Sequence, residues 1–229
     1  MLCCKNKSTI NSRVEIIKYI ISLGKATYND AMFSATDAGD KDIIRIMITL
    51  GANNYNKCLV KAANYGFKDI LQIMIDHGAN NYNEAMIEVT DINKDIVQMM
   101  IDHGADDYNS AMIAAASNGY ENIIQLLINH GANDYNKAMI VAAIHDHKNI
   151  VQMMIDHGAN DYNNTMLKAV ERGYKYKDIV IMMLEHGANN YDDVIKIAKM
   201  KGRMEIADII QDYMDLKTNN YIKTHAFTF

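Results

Sequence analysis

Apolar residues recur along most of the chain at spacings of one, three and four, in runs of about nine residues separated by polar, glycine-containing turns. Residues 136–158 carry the pattern in full. Ala138, Met139, Val141 and Ala142 form one apolar face, and Ile150, Val151, Met153, Met154 and Ile155 form a second, broader one. These spacings predict two short helices, the second packed between neighbours. Asn136 is expected to cap the first helix, because its side-chain oxygen can accept from free backbone amides. Asp146 falls at the turn between the helices, where a positive φ is expected. The second helix is expected to stop at His157-Gly158, with glycine at the C′ position. Neither period-two alternation nor a β-branched run supports strands.

The same pair of helices repeats along the sequence. Tyrosines in Gly-Ala-Asn-Asp-Tyr-Asn and its variants stand at Tyr28, Tyr55, Tyr82, Tyr108, Tyr135, Tyr162 and Tyr191, at intervals of 27, 27, 26, 27, 27 and 29. Every one of the 12 glycines lies in one of two columns of the repeat. Helices this short span roughly 14 Å and are marginal alone, so successive pairs must stack and share a core. Ala62-Ala63, Ala115-Ala116 and Ala142-Ala143 let helices approach closely. The reading is an all-α solenoid over residues 11–217. It has a partial unit at 11–27 and units starting at 28, 55, 82, 108, 135, 162 and 191. Residues 1–10 are polar and poorly periodic, and are expected to be irregular. Residues 218–229 are expected to form a tail, beyond a last unit that carries Asp208, Gln211 and Asp212 as a solvated cap.

Composition narrows the function. The net charge is −5, from 23 Lys+Arg against 28 Asp+Glu, which gives no electrostatic reason to expect nucleic acid. Hydrophobic residues make up 49%, enough for a core, so global disorder is not expected. Apolar runs reach only about five residues, against the ~20 needed to span a bilayer. The first ten residues have no apolar segment of a secretory signal. Cys3, Cys4 and Cys58 are not spaced as a disulfide framework, so a cytoplasmic, reducing compartment is expected.

This pattern resembles the ankyrin repeat. The likeness lies in Lys137-Ala138-Met139-Ile140-Val141-Ala142-Ala143, then a turn, then Asn149-Ile150-Val151-Gln152-Met153-Met154-Ile155-Asp156-His157-Gly158-Ala159-Asn160. It covers residues 11–214. Ankyrin units run to about 33 residues, and these are shorter by six. The deficit falls where the family carries its β-hairpin finger, and the Thr-Pro-Leu-His start is absent. The resemblance therefore implies an ankyrin-like helix-turn-helix solenoid with trimmed fingers. The composition and trimmed unit resemble the expanded ankyrin families of large DNA viruses.

Such a resemblance implies a non-enzymatic, monomeric module that binds a partner protein through the concave face of the first helices, a host-cell protein where the viral likeness holds. A vestigial product of repeat expansion is the alternative. An adaptor for ubiquitin ligase, as in poxvirus ankyrin proteins ending in an F-box-like segment, is a third reading. The twelve residues after Lys217 are short for such a segment. Two columns are expected to project from the first-helix face. One runs Asp30, Lys57, Glu84, Ser110, Lys137, Asn164, Asp193, and the other Ser34, Lys61, Glu88, Ala114, Val141, Lys168, Ile197. They vary between units while the core columns hardly change. Lys57, Lys61, Glu84, Glu88, Lys137, Val141 and Lys168 are the candidate partner-binding residues, with Tyr65, Tyr120 and Tyr174 as aromatic anchors beside the inter-helix turns.

Other constellations are better read as structure. The column His77, His103, His130, His157, His186 recurs at about 10 Å per repeat, too far apart for one zinc ion. It fits histidines at helix C-termini. The Asn-rich loops lack the carboxylates of a calcium site. Cys58 falls in a column of small residues and is expected to be buried. No catalytic motif, cofactor site or metal site is visible. Met1-Leu2-Cys3-Cys4-Lys5 resembles the start of neuromodulin, which is palmitoylated on paired cysteines. That likeness implies lipidation of Cys3 and Cys4 as a route to peripheral anchoring.

Overall fold

The structure is a computed structural model. It describes residues 2–89, 93–173 and 176–225, and the side chains within those stretches from residue 9 to residue 218. The chain divides into two compact bodies, 1–107 and 108–229. All regular structure among the described residues is helical.

In the first body, α1 (Leu2–Ser22) precedes three helix pairs: α2 (Tyr28–Asp37) with α3 (Lys41–Thr49), α4 (Tyr55–Asn64) with α5 (Lys68–Asp76), and α6 (Tyr82–Ile87) with α7 (Lys94–Asp102). The second body holds α8 (Tyr108–Asn118) with α9 (Glu121–Asn129), α10 (Tyr135–Ile144) with α11 (Lys148–Asp156), α12 (Tyr162–Arg172) with α13 (Lys177–Glu185), and α14 (Tyr191–Met200) with α15 (Met204–His225). Every first helix starts on the tyrosine that marks its repeat.

Each repeat contributes the same apolar side chains to the core of its body. On the first helices, Met32, Leu59, Met112, Met139 and Met166 are fully buried, with Ala62, Ala142 and Ala169 one turn further on. On the second helices, Met47, Met74, Met100, Met154 and Met183 hold the matching position. Each such side chain contributes roughly 1.5–3 kcal/mol on leaving water. Cys58 is buried as expected, and burial pushes its thiol up from its ordinary value.

The turns explain the glycines. At the end of α11, Gly158 has φ +101, its N–H donates to the Ile155 carbonyl (2.9 Å), and the Ala159 N–H donates to the Met154 carbonyl (2.9 Å). These two hydrogen bonds close the helix and require the left-handed residue. The inter-helix turn uses the same device. There Asp146 has φ +67, as its place in the glycine column implies, and carries the cost of an L-residue in that region. At Gly119 a second constraint acts: a Cβ would lie 2.9 Å from the His147 ring of the next repeat.

One expectation about the motif is corrected. Asn136 does not cap α10. The N-cap position is Asp134, whose side chain makes no cap bond. Asn136 lies in the first turn and reaches forward to the following repeat. Its Oδ1 accepts from the Asn160 N–H (2.7 Å) and the Asp161 N–H (2.9 Å), and its Nδ2 donates to Asn160 Oδ1 (3.3 Å). The same three bonds join Asn29 to Asn53 and Asn54, Asn56 to Asn80 and Asn81, Asn83 to Asp106 and Asp107, and Asn109 to Asn133 and Asp134. Asn163 makes two of them with Asn189. Asparagine suits the position because it accepts twice through one oxygen and donates through its nitrogen.

Two boundaries differ from the sequence reading. Residues 2–10, expected to be irregular, belong to α1, and 218–225, expected to be tail, belong to α15. The cause is the same at both ends. Ser12 stands where the repeat spacing places an inter-helix glycine, and Met214 where it places a C′ glycine. Neither favours positive φ, so the helix continues.

Lys41 pairs with Asp69, Lys68 with Asp95 and Lys148 with Asp178 between adjacent second helices. Each lysine's hydrogen bond holds its carboxyl below the usual carboxylate range. That stabilisation is present above the unfolded Asp value of about 3.9 and is lost as pH falls through the lowered folded values. The pairs are solvent-exposed, so their contribution is minor beside the core.

Replacing Asn136 by Ala leaves two backbone N–H groups without their acceptor. Urea denaturation is expected to show a loss of about 1–3 kcal/mol, with a smaller loss for Asn136→Asp, which keeps the acceptor. Equal stability of Asn136→Ala and the unaltered protein would show that these bonds are not structural.

Candidate protein-binding face

The first helices present the two variable columns, but many of their side chains have local roles. Asp30 accepts from the Thr27 N–H and hydroxyl, both at 2.7 Å, closing a capping box. Those bonds, the side-chain one foremost, hold Asp30 below the usual carboxylate range. Asn164 bonds Asp161. Lys137 pairs with Asp134 at 2.6 Å and Lys168 with Glu171 at 3.0 Å. Val141 is half-buried.

In the body 1–107 the structure brings four of the candidates together. Lys57, Lys61, Glu84 and Glu88 line a groove of roughly 370 Å³ with Phe33, Val60 and Asn64. Val60 and Phe33 provide its apolar surface. Lys61 is held in place: its ammonium donates to Asp37 at 2.8 Å and lies 4.9 Å from the centre of the Phe33 ring and 5.3 Å from that of Tyr65. The hydrogen bond to Asp37, foremost, holds the Lys61 ammonium above its ordinary value. Glu84 accepts from Asn81 at 2.8 Å. Among the described residues, no ion pair within 4 Å involves Lys57, Glu84 or Glu88.

The aromatic candidates do not form one column. Tyr65 precedes its turn glycine, caps the C-terminus of α4 and is 46% exposed. Tyr120 follows its glycine, sits at the N-cap of α9 and is half-buried. Tyr174 lies outside the described residues. So do the side chains of Cys3 and Cys4, whose backbone belongs to α1.

Two phenylalanines were missed by the sequence reading. Phe33 replaces the aliphatic residue found in its column at Val60, Ile87, Ile113, Ile140 and Leu167. That substitution was its only signal. Phe67 packs on Gly39, with ring atoms 3.3–3.6 Å from where a Cβ would stand, and against Tyr65 at 5.7 Å between ring centres.

The histidines are structural elements of their repeats. His157 Nδ1 bonds the Met153 carbonyl at 2.8 Å, and its ring packs on Tyr135 at 5.6 Å. The pairs Tyr55–His77, Tyr82–His103, Tyr108–His130 and Tyr162–His186 repeat this arrangement. Among the described residues no cluster of three His, Cys, Asp or Glu side chains can hold a metal ion. No helix among them is long and apolar enough to cross a membrane.

Comparison with known families places ankyrin repeats, in three copies, over residues 59–137 and 85–166. No curated protein matches the chain.

The Asp37–Lys61 pair yields a titration test. Its stabilisation is complete below the unfolded Lys value of about 10.4 and is lost as pH rises through the raised folded value. Asp37→Asn is expected to lower the Lys61 midpoint, read by NMR at the ε-carbon. An unchanged midpoint would contradict the assigned contact.

Proposed function

Ankyrin repeats are detected in this chain over residues 59–166, and from that premise we propose that it binds a partner protein through the exposed face of its first helices. Ankyrin repeats are generally protein–protein interaction modules, and the family is typically non-catalytic. The observation that carries the reading is the groove lined by side chains of α2, α4 and α6. Its polar residues, Lys57, Glu84 and Glu88, come from the columns that vary between repeats, whereas the buried columns beneath them hardly change. Lys61 contributes less than its position implies, because Asp37 already holds its charge. The resemblance to viral ankyrin families supports a host-cell protein as the partner class.

Affinity capture from a host-cell lysate tests this. The variant carries Lys57→Glu, Glu84→Lys and Glu88→Lys. A control reverses exposed charges on the second helices, Lys94→Glu and Glu121→Lys. A protein retained by the unaltered chain and the control, and lost by the first-helix variant, is the expected result. Retention that follows the second-helix charges, or no specific retention at all, would refute the assignment of this face.

A further inference from the structure

Two apolar columns of the second helices are closed along the described residues except at α1. One reads Ile43, Ile70, Ile96, Ile123, Ile150 and Ile179, each at most 3% exposed, and the other Met47, Met74, Met100, Leu127, Met154 and Met183, each at 0%. One repeat earlier the same columns hold Ile16 and Ile20, which are 59% and 40% exposed. The cause is a missing neighbour. Each of the other second helices packs against the first helix of its own repeat. By contrast, α1 runs straight through Ser12, where the inter-helix turn would fall, and has no first helix beside it. On α2 the vacancy shows from the other side: Ala31 is half-buried, whereas Cys58, Ala85, Ala111 and Ala138 in its column are buried. Between α1, α2 and α3 lies a cavity of about 280 Å³, lined on its apolar side by Ile17, Ile20, Ile21, Ala31 and Ala35.

The vacancy is continued by an apolar stripe. Ile16, Tyr19, Ile20 and Leu23 stand at helical spacings on α1 and are all exposed, and no other helix exposes more than two large apolar side chains among the described residues. The four leave on the order of 400 Å² of apolar surface uncovered, the size of the largest patch a monomer usually carries. A solenoid end left in water is expected to present a polar outer face, and this one does not. The charges beside it cancel: Arg13 pairs with Asp40 at 2.6 Å and Lys18 with Glu15 at 3.0 Å. A near-neutral apolar face flanking a helix-sized vacancy suits a protein helix better than an anionic lipid surface.

We propose that α1 of a second copy of this chain fills the vacancy, and that the two copies cover each other as a symmetric dimer. The two helices of a repeat, joined by a short turn, run antiparallel. A two-fold axis also sets α1 antiparallel to its mate, so the mate takes the place and direction of the missing first helix. With the axis between Tyr19 and Ile20, Ile16 meets the partner's Leu23 and Tyr19 meets the partner's Ile20. The same register brings the exposed carboxylate of Glu15 alongside the partner's Lys25, just past the end of α1, and symmetry makes that contact twice. The two stripes and the cavity walls together approach the ~1,200 Å² at which specific interfaces begin. The dimer replaces the monomer that the ankyrin resemblance implies, and it does not involve the groove of Lys57, Glu84 and Glu88.

Sedimentation velocity of the full-length chain between about 1 and about 200 µM tests this. The unaltered protein is expected to pass from monomer to dimer over that range. The variant carrying Ile16→Lys and Tyr19→Lys is expected to stay monomeric, its dissociation constant raised at least about 30-fold. Both side chains are mostly exposed, so circular dichroism and the urea midpoint are expected to be unchanged. Glu15→Lys alone is expected to weaken the dimer about 3–10-fold, and adding Lys25→Glu to restore it. That pair leaves the apolar residues intact, so it tests the contact even if the lysine variant fails to fold. A monomer throughout the range, a dimer indifferent to Ile16→Lys and Tyr19→Lys, or a Glu15→Lys defect that Lys25→Glu does not restore would each overturn the proposal. A monomer that cosediments with phosphatidylserine vesicles through Ile16 and Tyr19 would also overturn it and assign the face to lipid.

Discussion

Within each body, the side-chain amide of an asparagine in a first helix ties its repeat to the loop that follows. Its oxygen accepts two consecutive backbone N–H groups of the following loop, as Asn136 does from Asn160 and Asp161. Those groups precede a first helix and have no intrahelical acceptor. The bonds satisfy them and fix where the next helix begins. Apolar packing supplies most of the stability, but it is non-directional. The asparagine supplies direction, so the tyrosine that follows the loop lands where its ring can meet the histidine of its own repeat. The short loop is then complete without a β-hairpin.

Much of this was legible in the chain. The tyrosine spacing located the start of every first helix, because one loop recurs in every repeat. Both glycine columns were legible because positive φ is costly for other residues. Asp146 shows that the column predicts the backbone even when glycine is absent. The forward reach of Asn136 was not legible. An asparagine at a helix start has a local use as a cap, and its real partners lie 24 and 25 residues away. Only the stacked structure brings them near. The ends were misread for a related reason: polarity at residues 2–10 suggested irregular chain, whereas the missing turn glycine at Ser12 governs what the backbone does.

The binding face was legible as columns and not as a site. Variation between repeats marked Lys57, Lys61, Glu84 and Glu88 alike. The structure separates them by what each already touches. Lys61 is committed to Asp37 and two aromatic rings, while Lys57 and Glu88 stand at helix ends that oppose their charge. Tyr65 and Tyr120, similar in sequence context, occupy different places around the turn. Phe33 entered only through the groove, since an aromatic in an aliphatic column carries no distinct period.

The claim that one asparagine side chain orders the loop of the next repeat is tested most directly by hydrogen exchange at single amides. The Asn160 and Asp161 N–H groups lie in a loop outside any helix, and without Asn136 they would exchange freely with water. NMR-detected exchange on the intact chain is expected to find both protected in the unaltered protein and unprotected in Asn136→Ala, while the amides of α10 and α11 stay protected in each. Exchange of both loop amides at the unfolded rate in the unaltered protein would contradict the account.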